Sequence, residues 1–222
     1  MPGRERDATD DLARDAAEAA RRHFDEEAAD YESGRRYRRL EEPRAAAAAL
    51  LDPRPSDRLL DIGCGTGITV RSLASRVERA VGIDISTSMI EYAREQTRGV
   101  ANVEFAVAES GELPFPEASF TAALCTFSFH HYPHPETSLR EMARVLVGGG
   151  RLVLADASSD HWTVRLADIV ARHREPGHVR FYRSHELMRL LGQAGFIDIA
   201  IHRNPRSWYV LATGTRAATD DA

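Results

Sequence analysis

The chain has 222 residues, 43% hydrophobic and 28% charged, with a net charge of −5 and two cysteines. That length suits one globular domain that buries its core without disulfides or metals. All of its 29 basic residues are arginine, which excludes a Walker A lysine, a Schiff-base lysine and a Tyr-x-x-x-Lys dyad.

Interspersed charge of both signs argues against a nucleic-acid footprint. No apolar run approaches the ~18–20 residues of a membrane span, and Met1 to Asp7 is too charged for a signal peptide. Cys64 and Cys125 form no spaced framework. The expectation is a protein of the reducing cytoplasm.

Residues 8–23 are alanine-rich and read as a helix. His23 to Tyr31 and the arginine-rich Arg35 to Arg39 follow. A second helix is expected from about Arg38 to Leu51, stopped by Pro53 and Pro55. From there strands (58–62, 80–84, 102–107, 119–126, 151–155) alternate with helices (67–76, 87–97, 135–146). This order predicts a doubly wound α/β sheet. A helical insertion is expected at 158–183, then a helix (184–194) and two strands (197–203, 207–213). The reading divides the chain into a helical lid (1–52), a core (53–214) and a disordered tail (215–222).

The most informative segment is Leu59-Leu60-Asp61-Ile62-Gly63-Cys64-Gly65-Thr66-Gly67. A strand, a glycine turn and a helix bring backbone N–H groups against a nucleotide-like ligand. The spacing is G-x-G-x-G, not the G-x-G-x-x-G of dinucleotide binders. Asp84, ending the next strand, is either an acceptor for ribose hydroxyls or a helix N-cap beside Ser86-Thr87-Ser88. Glu109 and Ser110 end the third strand, where they either meet a purine edge or form a polar loop. Gly148 to Gly150 read as a helix C-cap and turn.

Taken in order, L-D-I-G-C-G-T-G, G-I-D-I-S-x-x-M, E-L-P-F-P-x-x-S-F and R-V-L-x-x-G-G resemble the class I S-adenosylmethionine-dependent methyltransferases. The similarity covers roughly residues 24–213 and is greatest to the branch with the quinone C-methyltransferases. It implies a Rossmann-like seven-stranded sheet, mostly parallel with an antiparallel last strand, and an N-terminal helical lid. It also implies S-adenosylmethionine as cofactor, bound through Asp61, Gly63, Cys64, Gly65 and Gly67. Asp84 would face the ribose, Ile85 or Met89 the adenine, and Glu109 with Ser110 its edge. Cys125 and Thr126, at the end of strand four, and Tyr31 of the lid complete the expected cofactor set. Thr121 and Val147-Gly148 depart from the family's usual aspartate and Lys-Pro.

Methyl transfer from a sulfonium depends mainly on placing the acceptor. A base is needed only where the acceptor must lose a proton. His130 and His131 follow strand four and are the candidate catalytic residues, as base, pocket wall or packing. No acidic group can be matched to them by spacing, so no metal is expected. The expected reaction is methylation at O, N or C of a small organic acceptor, a quinone precursor or a specialised metabolite. A peptide or protein N-methyltransferase and a non-methylating binder of the cofactor are the alternatives. No nucleic-acid partner is expected, and oligomeric state is left open, with a homodimer allowed.

Overall fold

The computed structural model describes residues 3–33, 35–203 and 207–218. Three helices, α1 (Gly3–Glu27), α2 (Arg35–Arg39) and α3 (Glu41–Leu51), precede the sheet. Alternation then begins with β1 (Arg58–Ile62), α4 (Ile68–Leu73), β2 (Arg79–Asp84), α5 (Thr87–Gln96) and β3 (Val103–Val107). β4 (Phe120–Thr126), α6 (Pro135–Val145), β5 (Leu146–Ala157) and α7 (Trp162–Arg174) follow. α8 (Ser184–Gln193), β6 (Phe196–His202) and β7 (Tyr209–Arg216) close the domain.

The strands lie in the order β3-β2-β1-β4-β5-β7-β6. Pairings among β1 to β5 are parallel, and β7 runs antiparallel to both of its neighbours. This is the expected mostly parallel sheet with a reversed last strand. Residue-by-residue alternation buries both faces, as a sheet covered by helices on each side requires. Leu60, Ile62, Val81 and Ile83 pack with Met142 and Leu190 of α6 and α8. Leu59, Ala80 and Leu124 face the other way, against Leu51, Val70 and Ile90 of α3, α4 and α5. The strand order reverses between β1 and β4, which opens a crevice above their C-terminal ends.

Below that crevice the sheet is pinned by Asp57. Its carboxylate accepts from Arg151 at 2.6 Å, from the Thr121 hydroxyl at 2.7 Å and from the Arg54 amide at 2.7 Å. Burial works to raise the Asp57 pKa, but these donors outweigh it and hold it below the usual range. Thr121 also accepts from the Arg58 amide at 3.0 Å, so the hydroxyl at this departure from the family pattern joins β4 to β1.

Several elements differ from the sequence expectation. α1 spans 25 residues, longer than the alanine-rich 8–23. The helix expected from 38 breaks at Leu40, and Pro43 sits in the first turn of α3, where a missing N–H costs nothing. Gly148 to Gly150 do not cap a helix. α6 ends at Val145, and the glycines lie within β5, with Gly149 at φ +77°. There the β4–β5 register passes from Phe120↔Leu146 to Ala122↔Arg151, a bulge that glycine permits. In the 158–183 segment only Trp162–Arg174 is helical, and its end returns to the sheet through a Ser158–Tyr182 bridge. β7 continues to Arg216, into the stretch expected as tail; residues 219–222 lie outside the described residues.

Candidate functional site

The glycine turn joins β1 to α4, with Gly63, Gly65 and Gly67 all at positive φ (+70°, +53° and +73°). Their surroundings separate them. A Cβ at Gly63 would stand 2.3 Å from Ser128 Oγ, and one at Gly67 would stand 2.6 Å from the Phe105 ring. Only at Gly65 is the space open, the Tyr31 ring lying 4.0 Å away. Close internal packing therefore requires two of these glycines, and ligand approach explains only the middle one.

The turn is fastened to the end of β2. Gly63 and Cys64 donate to the Ile83 carbonyl at 2.8 and 2.9 Å. The Asp84 carboxylate accepts from the Gly65 amide at 2.8 Å and the Ser86 amide at 3.0 Å. Burial, opposed by these hydrogen bonds, raises the Asp84 pKa. The N-cap of α5 is Ser86, whose hydroxyl accepts from the Met89 amide at 3.1 Å, so capping does not account for Asp84.

Asp61, the acid of the first motif, is fully buried, and neither of its carboxylate oxygens has a hydrogen-bond partner among the described residues. Burial pushes its pKa up to about 7, with the Arg44 charge opposing and Asp84 adding to the shift. Native structures rarely leave a buried acid in this state. Arg44 also has a buried unpartnered Nη1, while its Nη2 donates to Tyr31 Oη at 3.5 Å. Arg71 ties the turn to the same segment, donating to the Thr66 carbonyl and to Glu32, each at 2.6 Å.

A cleft opens where β1, β2 and β4 end. Gly63, Asp84, Ile85, Glu109, Ser110 and His131 line it, all expected from sequence. Tyr31, Asp61, Gly65, Gly67, Met89 and His130 lie outside this lining, as do Cys64, Cys125 and Thr126. Met89 is buried, and Cys64 and Cys125 belong to the two core clusters. Burial raises both thiols, Cys125 to about 12, so neither is a ready nucleophile.

Sequence reasoning missed part of the cleft. Ser128 bridges the Ile62 carbonyl at 3.1 Å and Tyr132 Oη at 3.0 Å. Ser138 Oγ lies 2.8 Å from Ser110 Oγ. α1, in the segment expected as a helical lid, forms the roof through Ala17, Ala20 and Phe24. It is held there by Asp25, which accepts from Ser86 Oγ at 2.6 Å and the Ser88 amide at 3.0 Å. Burial opposes ionisation of Asp25, and these donors prevail, lowering its pKa.

His130 and His131 are both buried, their ring centroids 4.1 Å apart. His130 turns away from the cleft toward Asp156, which accepts from its Nδ1 at 2.7 Å and its amide at 2.9 Å. His131 places Nδ1 3.0 Å from the Gly177 carbonyl and meets Phe24 edge-on at 5.0 Å. His178 adds a third buried imidazole, 2.9 Å from Asp168. One donor atom from each of His130, His131 and Glu175 lies within 4.8 Å of the others. Asp156 was legible in principle: like Asp84, it is an acid at the end of a buried strand. Glu175 was not, because only the path of the chain after α7 brings it here.

Residues 60–154 match a family model described as a methyltransferase domain. The chain matches that model over a little under half of its length. It is similar to the uncharacterized methyltransferase YcgJ of Bacillus subtilis, 37% identical over 131 residues, covering 57% of this chain and 52% of that one. The YcgJ crystal structure superposes with a TM-score of 0.69 at 23% identity, over 80% of this chain and 99% of that one. The O-methyltransferase cnsE of Penicillium expansum is 37% identical over 155 residues, 67% of this chain and 56% of its own. The ubiquinone/menaquinone biosynthesis C-methyltransferase UbiE of Ectopseudomonas mendocina is 40% identical over 111 residues, 47% of this chain and 43% of its own. The chain thus spans about half the length of these curated relatives. No helix among its described residues is long and apolar enough to cross a membrane.

Proposed function

We propose that this protein is a methyltransferase that transfers the methyl group of S-adenosylmethionine to O, N or C of a small organic acceptor. The observation that carries the reading is the unpartnered, buried Asp61 carboxyl beside the glycine turn. The cofactor's methionine end offers the ammonium such a group lacks, and ionised Asp61 would pair with it. The open face at Gly65 gives the methionine chain bare backbone to lie on.

Asp84 holds the turn with one lone pair on each oxygen, leaving further acceptor capacity for two ribose hydroxyls. Ile85 supplies an apolar wall for adenine, with Glu109 and Ser110 at its edge. When bound, the cofactor supplies an electrophilic methyl on a charged sulfur. The chain's part is to hold the acceptor in line and exclude water beneath α1. His131 lines the cleft and is the residue placed to take a proton from an acceptor hydroxyl or amine. His130 orders the wall behind it through Asp156.

The acceptor class rests on the α1-roofed cleft and on the similarity to cnsE and UbiE, an O-methyltransferase and a C-methyltransferase by name. The test is formation of S-adenosylhomocysteine with phenolic, amine and quinol acceptors. Turnover with one class, lost in Asp84→Ala and lowered in His131→Ala, is the expected result. Tight cofactor binding with no product from any acceptor would instead mark a protein that binds the cofactor without methylating.

A further inference from the structure

We propose that His130, His131 and Glu175 form a binding site for a divalent first-row transition-metal ion, Zn²⁺ in the first instance, in the wall of the cleft. The inference goes beyond the methyltransferase reading and does not depend on it. Three independent features support it.

The first is the orientation of the imidazoles. Asp156 accepts from His130 Nδ1 at 2.7 Å, from the His130 amide at 2.9 Å and from the Ala157 amide at 2.7 Å. A carboxylate surrounded by donors is an acceptor, so Nδ1 of His130 carries the proton and Nε2 the lone pair. His131 Nδ1 lies 3.0 Å from the Gly177 carbonyl, which can only accept, and the same assignment follows. A carboxylate or carbonyl behind Nδ1 is the arrangement that orients imidazole Nε2 toward a metal.

The second is burial. Nε2 of His130, in a residue 4% exposed, has no partner among the described residues. A buried polar atom without a hydrogen bond calls for an explanation such as an ion.

The third is convergence. Donor atoms of His130, His131 and Glu175 lie within 4.8 Å of one another, although these residues come from the turn after β4 and the end of α7. A tetrahedral ion with bonds of about 2.0–2.1 Å holds its ligands about 3.4 Å apart. Side-chain rotations closing at most about 1.4 Å are therefore needed. Two imidazoles and a carboxylate suit Zn²⁺ and its neighbours, whereas thiolate-selecting ions would want cysteine; Cys64 and Cys125 belong to the core clusters instead. Three protein donors leave a tetrahedral ion one position for water or an acceptor oxygen. His131 belongs to both the cluster and the cleft wall, so with an ion on its Nε2 it serves as a ligand and not as the proton acceptor.

The test uses the full chain, stripped with chelator and titrated without cofactor, first with Zn²⁺ by calorimetry and then with Co²⁺ by absorption. The expected result is one equivalent bound at micromolar Kd or tighter. The Co²⁺ spectrum should be that of a tetrahedral nitrogen–oxygen site without thiolate charge transfer. His130→Ala and Glu175→Gln should each weaken Zn²⁺ at least 10-fold, and Asp156→Asn by 10- to 100-fold, the range of outer-shell partners. His185→Ala and His202→Ala, at exposed positions, should leave Kd unchanged. Because a buried substitution can unfold the chain, the Tm rise on adding Zn²⁺ is read as well. It should be present in the wild type and absent in Glu175→Gln, whose own Tm without metal stays near that of the wild type. Absence of stoichiometric binding, equal affinity in His130→Ala, or thiolate bands with Co²⁺ would overturn the assignment. Because no cofactor is present, such a failure leaves the proposed methyl transfer standing.

Discussion

The floor and the roof of the cleft are built by different means. The floor is backbone: three strand ends and a glycine turn, fixed by Gly63 and Cys64 donating to Ile83 and by Asp84 accepting from Gly65. The roof and far wall depend on side chains that meet from distant parts of the chain. Asp25 reaches Ser86 and Ser88, His130 reaches Asp156, and Gly177 packs against Ala20. A floor of this kind has little freedom to change. A roof held by a few contacts can open locally without unfolding the sheet.

Four substitutions sharpen that contrast. The largest effects are expected at two closely packed glycines, one in the floor and one at the roof. Gly63→Ala places a methyl 2.3 Å from Ser128 Oγ at a φ of +70°. Overpacking and left-handed strain together cost roughly 3 kcal/mol, measurable by urea unfolding. At the roof, Gly177→Ala sets a Cβ 2.4 Å from Ala20 Cβ and 2.5 Å from its Cα. Overpacking and the left-handed strain of a φ of +73° act here as well and cost roughly 3 kcal/mol; the loss should appear as faster proteolysis within α1, with the sheet still folded. Equal protection of α1 in wild type and variant would contradict the roof assignment.

Gly65→Ala is the diagnostic counterpart of Gly63→Ala. Its Cβ meets only the Tyr31 ring, at 4.0 Å, so the stability cost is the left-handed strain alone, about 1 kcal/mol. Cofactor affinity should nonetheless fall at least 10-fold. Asp25→Ala removes the acceptor shared by Ser86 and Ser88, a loss of about 1 kcal/mol, as for a helix cap. It should raise the cofactor dissociation rate more than it lowers Tm.

Legibility in the sequence follows the same division. The strands, the glycine turn and the acid ending β2 are local patterns, so β1 and α5 fall at the expected residues. Gly148 to Gly150 misled because glycines after a helix suggest a cap. Pairing of Leu146 with Phe120 extends β5 instead and turns the glycines into a bulge. The neighbours of His131 were hidden for a different reason. Gly177 and Glu175 lie more than forty positions along the chain, and no spacing rule links them to a histidine on another element. Asp61 shows the limit of motif reading: its position is evident in sequence, but its missing partner is visible only once Arg44 and Asp84 are placed around it.

The central claim is that Asp61 waits, buried, for a cationic ligand. Its pKa of about 7 lies above the ordinary carboxyl value of 3.8. Between those values the folded protein binds more protons than the unfolded chain, so stability should decline as pH rises from about 4 through 7. Asp61→Asn should remove its share of that slope, leaving the part that the raised Asp84 contributes. For a ligand that pairs with the ionised form the sense reverses, and affinity increases with pH up to about 7. The decisive measurement is calorimetric titration with S-adenosylmethionine, S-adenosylhomocysteine and NAD at pH 6 and pH 8. One equivalent of each of the first two, bound more tightly at pH 8 in the wild type and without that gain in Asp61→Asn, is the predicted result. Binding of NAD, binding of nothing, or a pH dependence unchanged by Asp61→Asn would contradict it.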